Sequence, residues 1–279
     1  MIRMQPARLL VIGTIDEFSR DAISQLDGRL RSVRLVHAMD DALAWLRASE
    51  ALPDLIVVGQ QHPSQFTIAV WQELLRAAPL VPLWRLLGTW CEGEQRSGRP
   101  PGGCLSDYWH SFSPRLARAL VERAAGCRPR WAAPPTASAE ERMLAESALA
   151  LPKSAGQVVV CADRRANAMA LADACRLAGY KVTPARPGNL TGQSLLDRES
   201  ECVCALLWDA TPQQICDRVA VNRVRAAFAS APVLAIVDFP RPEDVCQARS
   251  LGIDHVFSKP YSNRDLLDRI VALQEARPV

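Results

Sequence analysis

Lysine is scarce in this chain: Lys153, Lys181 and Lys259 are the only three among 33 basic residues in 279. Nearly all the positive charge is arginine, so a lysine closing a strand is not compositional filler. Long apolar runs are lacking too. The first, Leu9 to Ile12, is too brief for a signal-peptide core or a membrane span, which leads to the expectation of a cytoplasmic protein with no membrane partner. The nine cysteines form no even-spaced framework, and Cys161, Cys175, Cys202 and Cys204 sit inside apolar runs, where a free thiol acts as a small hydrophobe. That argues against a disulfide scaffold. No polybasic tract occurs, and the arginines are scattered along helical stretches (Arg115, Arg118, Arg123; Arg218, Arg223, Arg225) as on solvated faces. A net charge of +3 with a pI near 8.4 falls short of the basic stripe of a nucleic-acid groove, so no nucleic-acid partner is expected.

What is present suffices for two cores. The chain is 49% hydrophobic and 23% charged, and domains usually hold ~100–150 residues. The stretch from Cys127 to Gly156 interrupts the pattern. Arg128-Pro-Arg-Trp-Ala-Ala-Pro-Pro-Thr reads as a stiff connector, and Ser138 with Glu141 makes a capping box for a helix within it. The expected division is therefore 1–126, a linker at 127–156, and 157–279.

The second half alternates regularly. Apolar runs at Val158 to Cys161, Lys181 to Thr183, Cys202 to Trp208, Pro232 to Val237 and His255 to Phe257 read as strands. Helical periodicity lies between them: Arg165 to Ala178, a short helix near Ser194 to Arg198, Pro212 to Ala229, Val245 to Leu251, and a last helix from Ser262. Continuous apolar strands separated by helices indicate a doubly wound parallel sheet, whose functional groups gather at the carboxyl ends of the strands. Asp163, Asp209, Asp238 and Lys259 all fall there. The first half repeats the rhythm with strands at Leu9 to Ile12, Leu35 to Val36, Leu55 to Val58 and Leu80 to Trp84. Leu9 to Leu55 is a step of 46 and Val158 to Ala205 one of 47, so an internal duplication is the simplest account.

The second half, and most specifically Ala248-Arg-Ser-Leu-Gly-Ile-Asp-His-Val-Phe-Ser-Lys-Pro-Tyr261, resembles the receiver domain of two-component response regulators. The resemblance implies two flavodoxin-like (βα)5 doubly wound domains in tandem, with a cis Lys259–Pro260 peptide. It makes Asp209 the counterpart of the phospho-acceptor, Lys259 the phosphoryl-binding lysine, and Asp163 the second acid of a magnesium-binding pair. Two departures weigh against the family's switch: Ala162 replaces the first acid, and Val237 stands where a Ser or Thr hydroxyl belongs, followed by Asp238. The first half looks like a more decayed copy, with Gly13 and Thr14 in place of the acids, Gly59 in place of the acceptor, and no lysine. Asp209 also has a plainer reading, as a strand-end carboxylate that caps the next helix or pairs with Lys259.

A Trp/Gly-rich insertion at about 86–110 replaces the fourth helix of the first half. Its Cys91, Cys104 and His110 invite a zinc reading, but no close CxxC or HxxxH pair supports one. Trp90, Arg96, Arg99, Tyr108 and Trp109 are residue types that dominate protein-binding hot spots, and form a candidate interaction loop. The expectation is a non-catalytic pseudo-receiver scaffold with no cofactor beyond weak magnesium binding at Asp163 and Asp209. Its partner would be a signalling protein or histidine kinase, with a homodimer as a further option. The alternatives are a phospho-accepting response regulator using Asp209, and a small-molecule-binding flavodoxin-like domain. The latter ranks lowest because Asp163-Arg164-Arg165 stands where a glycine-rich phosphate loop would follow the first strand.

Overall fold

The computed structural model describes residues 6–24, 26, 29–94, 102–134, 137–138, 141, 155–189, 203–228 and 231–275. The chain forms two compact units, Met1–Leu149 and Ala150–Val279. In the first, strands β1 (Ala7–Ile12), β2 (Leu30–Val36), β3 (Leu55–Gln60), β4 (Leu83–Leu87) and β5 (Cys104–Tyr108) alternate with helices α1 (Glu17–Ser24), α2 (Met39–Ala48), α3 (Ile68–Ala77) and α4 (Trp109–Ala124). All five strands are parallel in the order β2-β1-β3-β4-β5.

The second unit has β6 (Gln157–Cys161), α5 (Arg165–Leu177), β7 (Lys181–Ala185), β8 (Val203–Ala210), α6 (Pro212–Cys216), α7 (Arg218–Ala227), β9 (Val233–Asp238), α8 (Pro242–Ser250), β10 (His255–Lys259) and α9 (Asn263–Glu275). Its parallel sheet runs β7-β6-β8-β9-β10. Both are the 2-1-3-4-5 order of flavodoxin-like folds. The central strands are buried on both faces, as in Leu55–Gln60, where all six residues are buried. In the first unit Leu10, Ile12, Ile56 and Val58 pack with Leu43, Leu46, Trp71 and Leu74. In the second, Val158, Val160, Leu207 and Ile236 pack with Leu171, Cys175, Leu266 and Ile270.

Four expectations shift. Strand β4 begins at Leu83 rather than Leu80, because Leu80 is 93% exposed and Pro82 offers no N–H. Strand β5 lies inside the stretch read as insertion, as do the last two residues of β4 and the first two of α4; the alternate burial of β5 is that of an edge strand. The single helix expected from Pro212 breaks at Asp217 (φ −87°, ψ 113°), whose carboxylate accepts from the Val219 N–H at 2.9 Å and starts α7. Part of the expected linker also packs on the first unit: Trp131 is buried, 6.0 Å from the Trp84 ring, and Arg130 pairs with Asp107 at 2.8 Å. The Ser138–Glu141 capping box is present (2.7 and 3.1 Å), while the rest of that helix and the Ser194 to Arg198 helix lie outside the described residues.

Candidate functional site

Parallel packing in register brings the carboxyl ends of β8, β9 and β10 together. Asp209, next to last in β8, pairs in register with Ile236, and Lys259, last in β10, pairs with Asp238. The Lys259 Nζ lies 2.6 Å from Asp209 Oδ1 and 3.5 Å from Asp238 Oδ2. The other Asp209 oxygen, Oδ2, accepts from the Asn167 side-chain amide at 2.8 Å. Asp209 thus has one oxygen on a cation and one on an amide, in a setting where its side chain is 9% exposed. A carboxylate so enclosed is stable only with such partners, and removing the lysine would cost on the order of 3 kcal/mol. The Lys259–Pro260 peptide is cis.

Two neutral groups lie within reach of the Asp209 charge. Burial, then the charges of Asp163 and Asp209, push the Cys161 thiol up to about 12. Burial, then Asp209, does the same to the Tyr261 hydroxyl, also to about 12. Both stay protonated at neutral pH and add no charge. Asp163 is near enough for its field to reach Cys161, yet it is exposed and, among the described residues, has no hydrogen-bonded or ion-paired partner. Val237 is fully buried and presents no hydroxyl.

A magnesium ion does not fit this donor set. Ala162 leaves two acids, one exposed and the other already held by Lys259 and Asn167, and among the described residues no group of three His, Cys, Asp or Glu side chains is placed to hold a metal. The same finding covers Cys91, Cys104 and His110. Asn167 was not singled out in the sequence; its signal is a weak helix former in the first turn of an alanine-rich helix, one turn beyond Asp163.

The matching edge of the first unit is closed by backbone. Gly59 pairs with Leu86 as Asp209 pairs with Ile236. A Cβ on Gly59 would lie 2.2 Å from the Thr14 carbonyl oxygen and 3.0 Å from Ile15 Cγ2. The Gln61 side chain donates to that same Thr14 oxygen at 2.8 Å, which ties the two loops together. Trp109 takes the position of Lys259, following Tyr108, which pairs with Leu87 as Ser258 pairs with Val237. Trp109 is buried at 3% exposure and belongs to the core rather than to an interaction loop, a correction explained by its place on the inward face of α4, at helical spacing from the buried Phe112 and Leu116. Tyr108 is half-buried and stacks on His110 at 5.7 Å. Trp90 is 75% exposed, and Arg96 and Arg99 lie outside the described residues.

No family model matches the chain, and no curated protein matches it. Solved structures similar to it are response-regulator receiver proteins. A response regulator from Thermotoga maritima is 18% identical over 46% of this chain and 100% of its own, with a TM-score of 0.37. A CheY-like response regulator receiver domain protein from Methanospirillum hungatei JF-1 is 18% identical over 44% of this chain and 95% of its own (TM-score 0.34). A probable two-component system response regulator/GGDEF domain protein is 14% identical over 97% of this chain and 98% of its own (TM-score 0.37). The fold class itself rests on the two sheets: two receiver-like, flavodoxin-type domains in tandem. No helix among the described residues is long and apolar enough to cross a membrane.

Proposed function

We propose that the chain is a non-catalytic tandem pseudo-receiver, a signalling or scaffold module acting through contacts with a signalling protein or histidine kinase, or between two copies of itself. The observation that carries this reading is the position of Asp238. Its carboxylate reaches the Lys259 ammonium at 3.5 Å, so the cation that would bind a transferred phosphoryl group already has two negative neighbours. Two unit charges 4 Å apart repel by ~1 kcal/mol in water and ~4 kcal/mol near a protein surface; with Asp238 65% exposed, the lower figure is the better guide. Val237 removes the hydroxyl that would offset it. In the first unit neither a carboxylate nor room for one exists at Gly59.

Protein contact is favoured by an exposed aromatic shortly after the fourth strand of each unit, one position apart in register. Trp90 follows β4 and Phe239 follows β9, and they are 75% and 57% exposed. Large exposed aromatics are typical binding anchors. A second reading, phosphoryl acceptance by Asp209, draws on the 2.6 Å contact with Lys259. Incubation with acetyl phosphate and magnesium, followed by intact mass measurement, separates the two. The scaffold reading expects no phosphoryl adduct on the unmodified chain. An adduct that Asp209→Asn abolishes would overturn it.

A further inference from the structure

The first unit contains a buried cation that its fold does not require. Arg85 sits in the middle of β4, between Val58 on β3 and Ser106 on β5, and is 2% exposed. Gly59 pairs with Leu86 as Asp209 pairs with Ile236, so the position matching Arg85 in the second unit is Ala235, which is fully buried. An alanine serves the same sheet position there. The guanidinium therefore answers to something particular to the first unit.

Its hydrogen bonding is incomplete. Nε donates to Ser106 Oγ at 3.1 Å, Nη1 reaches Gln60 Oε1 at 3.5 Å, and Nη2 has no partner among the described residues. Glu94 is the carboxylate in its field. Glu94 Oε1 lies 3.6 Å from Arg85 Nη1 and 3.5 Å from Gln60 Nε2. A closed guanidinium–carboxylate pair has contacts of ~2.7–2.9 Å, so Glu94 hangs back by roughly 0.8 Å. The neighbouring Cys91 thiol, pushed up to about 11 mainly by burial, supplies no negative charge at neutral pH.

We propose that the Nη1–Nη2 edge of Arg85, with Gln60 beside it, is a binding site for the carboxylate of a small organic acid, and that Glu94 occupies this place in the absence of ligand. The guanidinium edge is a planar fork that takes a carboxylate through two parallel N–H···O bonds. Such a pair is strong where water is excluded, and it would satisfy the orphaned Nη2, whose burial is otherwise costly. A phosphate group is the poorer match: it calls for donors on several sides, and Nε is already committed to Ser106.

Urea unfolding of the full chain at constant ionic strength, with sodium acetate replacing sodium chloride, tests the site. Tryptophan fluorescence reports mainly the first unit, because Trp208 is the one tryptophan of the second. In chloride, Glu94→Gln should lower the unfolding midpoint, and acetate should restore it saturably. The unmodified chain should respond with weaker apparent affinity, since Glu94 competes. Arg85→Met should respond no more to acetate than to chloride. Should that variant not fold, Gln60→Ala in the Glu94→Gln background keeps the cation and should weaken the acetate response. A Glu94→Gln chain indifferent to acetate would overturn the proposal, as would an Arg85→Met chain that responds fully. Phosphate restoring the midpoint better than acetate would overturn the choice of carboxylate.

Discussion

The two units share strand order and register but treat the carboxyl edge of the sheet in opposite ways. In the second, the edge holds a small charged cluster: Asp209 between Lys259 and Asn167, with Asp238 drawn to the same ammonium. In the first, the corresponding positions are Gly59, Trp109 and Gly88. The backbone of Thr14 fills the space a side chain would take, and charge has moved instead to Arg85 within the sheet, with Glu94 from the segment after β4 beside it, and to Asp107 on β5. Asp107 is 2% exposed and accepts from the Trp84 indole at 3.0 Å and from Arg130 at 2.8 Å, with Arg115 as a third partner. A common backbone thus fixes where an ionic site can sit without fixing whether one does. Packing against the loops decides the rest.

The strongest way to break the comparison is to impose one unit's chemistry on the other. Gly59→Asp places the acceptor-type carboxylate in the first unit. With its Cβ 2.2 Å from a carbonyl oxygen, the substitution must move the loop at 13–15. Backbone cannot give way as a flexible side chain can, so a loss of about 4 kcal/mol or more in the first unit is expected. Urea unfolding followed by tryptophan fluorescence measures it. A Gly59→Asp chain within 1 kcal/mol of the original would show that the edge is not closed by packing.

Acid tests the electrostatic side. His110 is pushed down to about 4, first by burial and next by Arg115, with Asp107 opposing. The folded first unit therefore holds this imidazole neutral at pH 7, so the 3.9 Å approach to Glu92 is not an ion pair there. Below the ordinary histidine value of ~6.5 the unfolded chain takes up a proton that the folded unit refuses until pH falls to about 4. Stability present above pH 6.5 is thus lost on acidification, by roughly 3 kcal/mol across that window. His255 in the second unit is also lowered, by burial and by Arg269 and Arg249, and contributes with the same sign. Unfolding at a series of pH values should give a tryptophan-detected slope that His110→Gln flattens. An unchanged slope would place the acid sensitivity elsewhere.

Much of the fold was legible because parallel strands buried on both faces write themselves as continuous apolar runs, as in Val158–Cys161 and Leu55–Val58. Strand β5 was not, because an edge strand buries alternate residues and its Ser106 and Asp107 read as loop. The meeting of Asp209 with Lys259 followed from strand-end position, which topology fixes. Asp163 lies in the turn after β6, where no ladder constrains it, and it remains exposed. Arg85 was hidden for a different reason. The arginines read from the sequence as belonging to solvated helix faces, and composition cannot single out the one that an inner strand buries.

The smallest expected effects are at the two exposed aromatics, and they sharpen the comparison because function, not folding, should depend on them. Trp90→Ala removes a side chain that is 75% exposed, so its unfolding free energy should stay within about 0.5 kcal/mol of the original. Phe239 differs in its backbone: φ is +47°, a left-handed conformation that a bulky side chain adopts at a cost. Phe239→Gly relieves that strain but frees the unfolded chain, and the two terms, each ~1 kcal/mol, nearly cancel. Neither substitution should move the urea midpoint appreciably, whereas a contact between copies made through these aromatics should weaken in sedimentation velocity for both. A large stability loss at Trp90 would instead assign that residue to the core of the first unit, beside Trp109, and remove one of the two exposed aromatics on which the protein-contact reading rests.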